Sequence, residues 1–175
     1  MPVSIPITLN QSKMKKILLI VAISATTFLQ KSSAQEGTIK AQTQLSQLLT
    51  SYYGIKDALV ASDASQAAAS AGTFIKAANG IDYKIIAEGN IHALVKDAGA
   101  ISETIDLKKQ REQFARLSTN MITLAKAVKL GTNPAYETYC PMKKVSWLSD
   151  SKTIKNPYYG SAMLSCGNVV ETINN

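Results

Sequence analysis

The sequence predicts an all-α protein, a four-helix up-down bundle with an irregular C-terminal segment packed on it. Three observations lead to this fold class. Apolar residues recur at spacings of three and four through most of residues 38–131, which is the helical period. Asp63 and Asp106 stand where helix N-caps belong. From Thr132 onward the period is lost, and aromatic residues, Pro, Gly, Ser and both cysteines crowd together.

The N-terminal residues have the pattern of a secretory leader. Three lysines within residues 13–16 precede an apolar run, Ile17 to Leu29, that is too short to span a membrane, and small residues follow. We therefore expect a signal peptide over residues 1–34, cleavage near Ala34-Gln35, and a periplasmic or secreted protein. Met14 is the more ordinary start for such a leader, so residues 1–13 are interpreted as an over-extended gene start.

Residues 35–175 are then expected to form a single helical domain, with the bundle at 38–131 and a Cys/Met/aromatic tail at 132–175. The formal net charge falls from +7 to +3 because four lysines leave with the leader. A charge this small argues against nucleic acid or an anionic membrane surface as the partner. The mature chain has no second apolar stretch of spanning length.

The first two helices are predicted from periodicity and capping. An amphipathic stripe runs along the first helix through Leu45, Leu48, Leu49, Tyr52, Leu59 and Val60. Asp63 with Gln66 three residues later forms a capping-box pattern. The helix that it opens, Ala64 to Ala78, turns small residues to one side, and Asn79-Gly80 ends it.

The third and fourth helices follow the same logic. The third is expected from about Tyr83 to Ser102, and Asp106 caps the fourth, which Gly131 and Asn133-Pro134 stop. The tail beyond is expected to be irregular or to carry one short hairpin, and to bury its aromatic side chains against the bundle.

Both cysteines of the chain have a methionine close by. Cys140-Pro141-Met142 opens the segment and Met163-Leu164-Ser165-Cys166 closes it, in mirror order. Thiolate and thioether are soft ligands suited to Cu(I) or a similar ion, and imidazole can complete such a set. The candidate metal ligands are therefore Cys140, Met142, Met163, Cys166 and His92, the only histidine.

A simpler interpretation stays open beside the metal site. Two lone cysteines in an oxidising compartment usually pair, and closing a loop of this length would stabilise the fold by about 3.5 kcal/mol in the chain-entropy model. Cys140 and Cys166 would then be a disulfide, and both methionines would be core filler. His92 taken alone is interpreted as a half-buried histidine rather than a ligand.

Familiar catalytic patterns are missing from the sequence. The single histidine has no Ser or Cys at a recognisable motif spacing, the nine glycines match neither GxGxxG nor a P-loop, and no C-x-x-C is present. The basic run Lys108, Lys109, Arg111 and Arg116 is interpreted as a solvated face. We expect no enzymatic activity.

Residues of the tail and of part of the bundle resemble the sequence pattern of a known protein family. The likeness extends over about residues 45–172, and its most specific part is the series Tyr139-Cys140-Pro141-Met142, Trp147-Leu148-Ser149, Asn156-Pro157-Tyr158-Tyr159-Gly160 and Met163-Leu164-x-Cys166-Gly167. In the first helix, Tyr52-Tyr53 with Lys56 to Val60 also matches. The family is an uncharacterised periplasmic domain of unknown function, which is also found appended to heavy-metal efflux adaptor proteins of the copper/silver type.

The resemblance implies a helical domain associated with metal handling and brings no catalytic activity or proven ligand set. His92 falls where the family tends to carry a histidine, although the tryptophan that often follows is absent. Two functions are therefore predicted. The first is a soluble extracytoplasmic accessory domain that binds copper beside an envelope efflux or adaptor protein. The alternative is a disulfide-stapled helical interaction module without metal.

Overall fold

The computed structural model describes the backbone of residues 11–174 and the side chains of residues 35–174. The predicted signal peptide, residues 1–34, lies outside the residues whose side chains are described. The chain divides into two compact units, Met1–Ile39 and Lys40–Asn175. Within the described residues, no helix combines the length and apolar character that a membrane crossing requires.

Four α-helices are present: α1 (Gln11–Val60), α2 (Ala64–Asn79), α3 (Glu88–Ser102) and α4 (Leu107–Ala127). The described part of the first unit is helical backbone of α1. In the second unit α2 packs on α3 and α3 on α4. The helices therefore pack as a bundle, as the sequence predicts.

The two predicted N-caps are confirmed. The Asp63 carboxylate accepts a hydrogen bond from the Gln66 backbone N–H at 2.9 Å, and the Asp106 carboxylate accepts from the N–H groups of Lys108 and Lys109. Each cap satisfies N–H groups that a first helical turn leaves without a partner. The Gln66 side chain bonds Ser70 instead of returning to Asp63, so half of the capping box is used.

Two predicted helix ends are wrong. Helix α3 begins at Glu88, because Asp82 holds a separate turn in which its side chain accepts from the Lys84 N–H and its carbonyl accepts from the Ile85 N–H. Such local bonds compete with the helical pattern. Helix α4 ends at Ala127, four residues before Gly131, because Val128 is already extended.

The core of the second unit is apolar and continuous. The predicted stripe of α1 is buried, except that Val60 is half-buried. Most predicted inward positions of the other helices are also buried, while Ala68, Ile75, Val95 and Val128 are half-buried. The largest fully buried side chains are Trp147, Tyr52, Phe74, Phe114, Leu48, Ile55, Leu59, Ile91, Leu94, Ile101, Leu117 and Met121.

The all-α fold class needs correction, because the C-terminal segment forms a three-stranded antiparallel sheet of order β2-β1-β3. The strands are β1 (Ala135–Cys140), β2 (Val145–Ser149) and β3 (Asn168–Ile173). Strands β1 and β2 form the hairpin that the sequence allowed for. Strand β3 is an edge strand of which Ile173 alone is buried, so it carries no apolar alternation from which to predict it.

The sheet packs on α4 through aromatic side chains. Trp147 of β2 lies edge-on to Tyr158, Tyr158 contacts Phe114 of α4, and Phe114 stacks on Tyr52 of α1 at 5.2 Å between ring centroids. The Tyr52 hydroxyl accepts a hydrogen bond from the Leu148 N–H and bonds the Ser118 hydroxyl. The tail is thereby joined to the bundle by both apolar packing and buried polar contacts.

Candidate functional site

The two cysteines lie side by side at one end of the sheet. Cys140 is the last residue of β1 and is completely buried, while Cys166 precedes β3 and is half-buried. Their sulfur atoms are 3.7 Å apart, and both residues are free thiols. Since β1 and β3 are paired antiparallel, with Tyr139 opposite Asn168, strand pairing itself brings the thiols together.

Two turns shape the backbone around the thiols. In the β1–β2 turn the Lys144 N–H donates to the Cys140 carbonyl, with Lys144 at a positive φ of 58°. At the other cysteine, Gly167 has φ +149°, and a Cβ there would lie 2.9 Å from the Trp147 ring and 3.0 Å from the Tyr139 carbonyl. Glycine is therefore needed for the chain to pass this close to Trp147.

Asn156 holds the long loop between β2 and β3. Its side chain is fully buried, donates to the Cys166 carbonyl at 2.7 Å and accepts from the Tyr158 N–H at 2.8 Å. Its backbone N–H donates to the Leu164 carbonyl. Asn156 thus fixes the positions of both Cys166 and Tyr158. No pattern in the sequence predicted this role of Asn156.

The electrostatic environment favours the protonated form of Cys166. Partial burial, followed by the hydrogen bond and the charge interaction with Cys140, raises the pKa of the Cys166 thiol above its ordinary value. The Met142 backbone N–H donates to this sulfur and opposes part of the rise. A metal ion that binds Cys166 as a thiolate must therefore displace its proton.

The two methionines have exposed side chains, and their backbones contact Cys166. Met142, in the β1–β2 turn, is 64% exposed, and Met163, three residues before Cys166, is 36% exposed. The Cys166 N–H donates to the Met163 carbonyl at 3.1 Å. The alternative that both methionines are core filler does not fit their exposure.

His92 does not join the cysteines. It is on α3 with 67% of its side chain exposed, 3.8 Å from the Glu88 carboxylate, so the half-buried environment expected for it is wrong. Among the described residues, no three His, Cys, Asp or Glu side chains are grouped closely enough to hold a metal ion. His92 therefore does not form such a group with Cys140 and Cys166.

Arg111 has a structural role that the sequence did not indicate. Its guanidinium donates to the Pro157 carbonyl at 2.9 Å, to the Leu59 carbonyl at 3.1 Å and to the Ser62 hydroxyl at 2.9 Å. It connects the α1–α2 turn to the loop before the 3-10 helix at Gly160–Met163. Arg111 is thus not part of a solvated face, and a charge run alone gives no signal of this.

A second concave region lies away from the thiols. A cleft of about 340 Å³ is bounded on one side by α1 and on the other by Gly131–Pro134 and Asp150. Next to it the buried Lys56 ammonium contacts the carboxylates of Asp150 at 2.7 Å and Asp57 at 3.2 Å, and lies over the Tyr53 ring. No motif in the sequence predicted this cleft.

Comparison with known proteins relates the helical part to a family. Residues 48–133 match the model of a family described as "Protein of unknown function (DUF3347)". No curated protein and no solved structure matches the chain. The matched region includes α2, α3 and α4 and ends before β1, so both cysteines lie beyond it.

Proposed function

We propose that the protein is a soluble extracytoplasmic accessory protein of heavy-metal handling that binds one Cu(I) or similar soft ion. Cys140 and Cys166 would hold the ion as thiolates, and Met142 and Met163 would supply thioethers from the solvent edge. The single observation that carries this proposal is the paired thiols with two exposed methionines beside them.

The spacing of the sulfur atoms fits a shared ion. Two thiolates bound at about 2.3 Å in tetrahedral geometry are about 3.8 Å apart, as in zinc sites. The observed 3.7 Å requires little movement of either side chain. Among the described residues, no third His, Cys, Asp or Glu is grouped with this pair, and sulfur ligands favour a soft ion over a hard one.

The environment fits an ion that replaces two protons. The N–H of Met142 already points at the Cys166 sulfur and would stabilise the thiolate. Because the pKa of Cys166 is raised, the apparent affinity should fall as the pH falls. His92 is left out of the proposed ligand set, since it lies on α3 and forms no group with the two cysteines among the described residues.

The extracytoplasmic location and the envelope partner rest on sequence alone. The leader pattern of residues 1–34 supports the first, and the resemblance to domains appended to copper/silver efflux adaptors supports the second. The match over residues 48–133 agrees with a domain of unknown function.

Competition with a chromophoric Cu(I) chelator tests the metal site on the reduced protein. We expect one Cu(I) per chain, loss of binding in Cys166→Ser, and weaker binding in the double variant Met142→Ala with Met163→Ala. His92→Ala is the matched control and should bind like the unmodified protein. A reduced protein that takes no Cu(I) from the chelator would refute the proposal.

The alternative, a disulfide-stapled interaction module, is favoured by the same pair of atoms. A disulfide needs sulfurs about 2.05 Å apart, so a small rotation of two thiols at 3.7 Å brings them into bonding range. Forming it transfers two electrons and two protons to an oxidant of the compartment. Intact mass and a thiol count on protein taken from its own compartment decide between the disulfide and the metal site. If both thiols are blocked and the reduced protein takes up no Cu(I), the disulfide is favoured.

A further inference from the structure

The cleft beside α1 is lined by several residues whose hydroxyl groups the fold does not use. Ser46, Leu49, Thr50 and Tyr53 come from one stripe of α1, and Thr132 faces them from the segment after α4. The hydroxyls of Ser46, Thr50, Tyr53 and Thr132 make no hydrogen bond to any residue in the described part of the chain. Each can therefore both donate to and accept from a bound molecule.

The charge in the cleft is already compensated. The Asp150 carboxylate accepts from the buried Lys56 ammonium, which also contacts Asp57 and has no room for a further anion. The charge of Lys155 also acts on Asp150. This arrangement gives little attraction for a free cation or anion. The Leu49 side chain and Pro134 add apolar surface between the hydroxyls.

We propose that this cleft binds a small neutral polyhydroxylated molecule, of the sugar class. Its volume of about 340 Å³ is at the lower end of the range for small-molecule sites, which suits one or two sugar rings. Hydroxyls that donate and accept match the hydroxyls of a sugar, and a compensated carboxylate gives one strong acceptor without net charge. Most of the lining lies within residues 48–133, the region that matches the family.

The proposal shares no residue with the sulfur pair, so the two can fail separately. Titration of the 15N-labelled protein with glucose, N-acetylglucosamine and trehalose, followed by protein-observed NMR, tests it directly. Glucuronate and glucosamine are the charged comparators. We expect saturable binding of at least one neutral sugar, with backbone shifts centred on residues 46–53 and 131–134.

Variants locate the binding to the cleft. Thr50→Trp, at an exposed position, should fill the cleft and abolish binding while the fold is retained. Tyr53→Phe with Thr132→Val removes two hydroxyls at nearly constant shape, and should weaken binding threefold to tenfold or more. Thr119→Val is the matched control, because the Thr119 hydroxyl bonds its own helix at Ala115.

Three results would overturn the proposal. One is the absence of saturable binding with all three neutral sugars. Another is undiminished binding in Thr50→Trp. The third is a clear preference for glucosamine or glucuronate over every neutral sugar, which would make this a charged-ligand site instead.

Discussion

The helical bundle and the C-terminal sheet are stabilised in different ways. Between the helices, contacts are made mainly by apolar side chains that recur with the helical period, and four buried polar residues, Lys56, Ser70, Gln110 and Ser118, lie among them. In the sheet and its loop, a small number of hydrogen-bonded polar groups decide the path of the chain, above all the buried Asn156 and the half-buried Arg111 guanidinium. Stability that comes from many interchangeable contacts can be read from a pattern, whereas stability that depends on single hydrogen bonds cannot.

The largest effect is expected from the bundle core. Phe74 of α2 is completely buried, so Phe74→Ala should lower the free energy of unfolding by about 3–5 kcal/mol through lost burial and a cavity. Ile105→Ala, which truncates a side chain that is 76% exposed, is the control and should change it by less than about 0.5 kcal/mol. Urea denaturation followed by circular dichroism measures both. Equal effects would mean that Phe74 is not a core residue.

The polar counterpart is Asn156→Ala. It leaves the Cys166 carbonyl and the Tyr158 N–H without their partner in a buried setting, so we expect a loss of about 2–3 kcal/mol. Trp147, the only tryptophan, reports on the sheet by fluorescence, while circular dichroism reports on the helices. In the variant the fluorescence transition should come first. Asn90→Ala, at an exposed position, should leave both transitions unchanged, and coincident shifts in Asn156→Ala would show that the two regions unfold only together.

Two glycines sharpen the comparison because the same substitution should have opposite signs. Gly160 has φ +57°, and a Cβ there would lie 2.6 Å from the Ser62 hydroxyl, so Gly160→Ala should destabilise by about 1–2 kcal/mol. Gly72 sits inside α2 with nothing within 4 Å of the Cβ position, and Gly72→Ala should stabilise by about 0.5–1 kcal/mol. Thermal denaturation of both variants checks the pair. A destabilised Gly72→Ala would argue against the packing of α2.

The same difference explains what the sequence could and could not reveal. Helix positions and the caps at Asp63 and Asp106 follow from residues three or four apart, so a local pattern contains the information. Strand β3 depends on pairing with β1, about thirty residues earlier, and is mostly exposed, so no local pattern marks it. Asn156 looks like any turn residue until its partners are known.

The candidate site shows the same division. The proximity of Cys140 and Cys166 was predicted because compartment and cysteine number narrow the possibilities to one pair. The prediction that His92 joins this pair depended on which face of α3 turns inward. Ile91 and Leu94 are the buried positions of that turn. His92 follows Ile91 directly, so its side chain is rotated by about 100° from Ile91 around the helix axis and points away from the core.

The smallest effects are expected from two carboxylates, one in each region, whose pKa shifts have opposite directions. Partial burial would raise the pKa of Asp150, but the hydrogen bond and the charge of Lys56 outweigh it and lower the pKa. For Asp97 on α3, partial burial raises the pKa, and the Asn120 hydrogen bond offsets this only in part. The Asp150 side chain is 59% exposed and Asp97 is only half-buried, so solvent screening keeps each contribution small.

The signs follow from proton linkage. A lowered pKa means that Asp150 stabilises the fold above its unfolded value of about 3.9, and that this stability is lost as the pH falls through the folded value. The raised pKa of Asp97 has the opposite consequence, since its contribution is present at low pH and is lost as the pH rises through the folded value. Urea denaturation from about pH 6 to pH 3 measures both effects. On acidification, the stability advantage of the unmodified protein over Asp150→Asn should shrink. Its stability relative to Asp97→Asn should instead increase. If the stability differences of both variants changed with pH in the same direction, the Lys56–Asp150 ion pair would not lower the pKa of Asp150 as proposed.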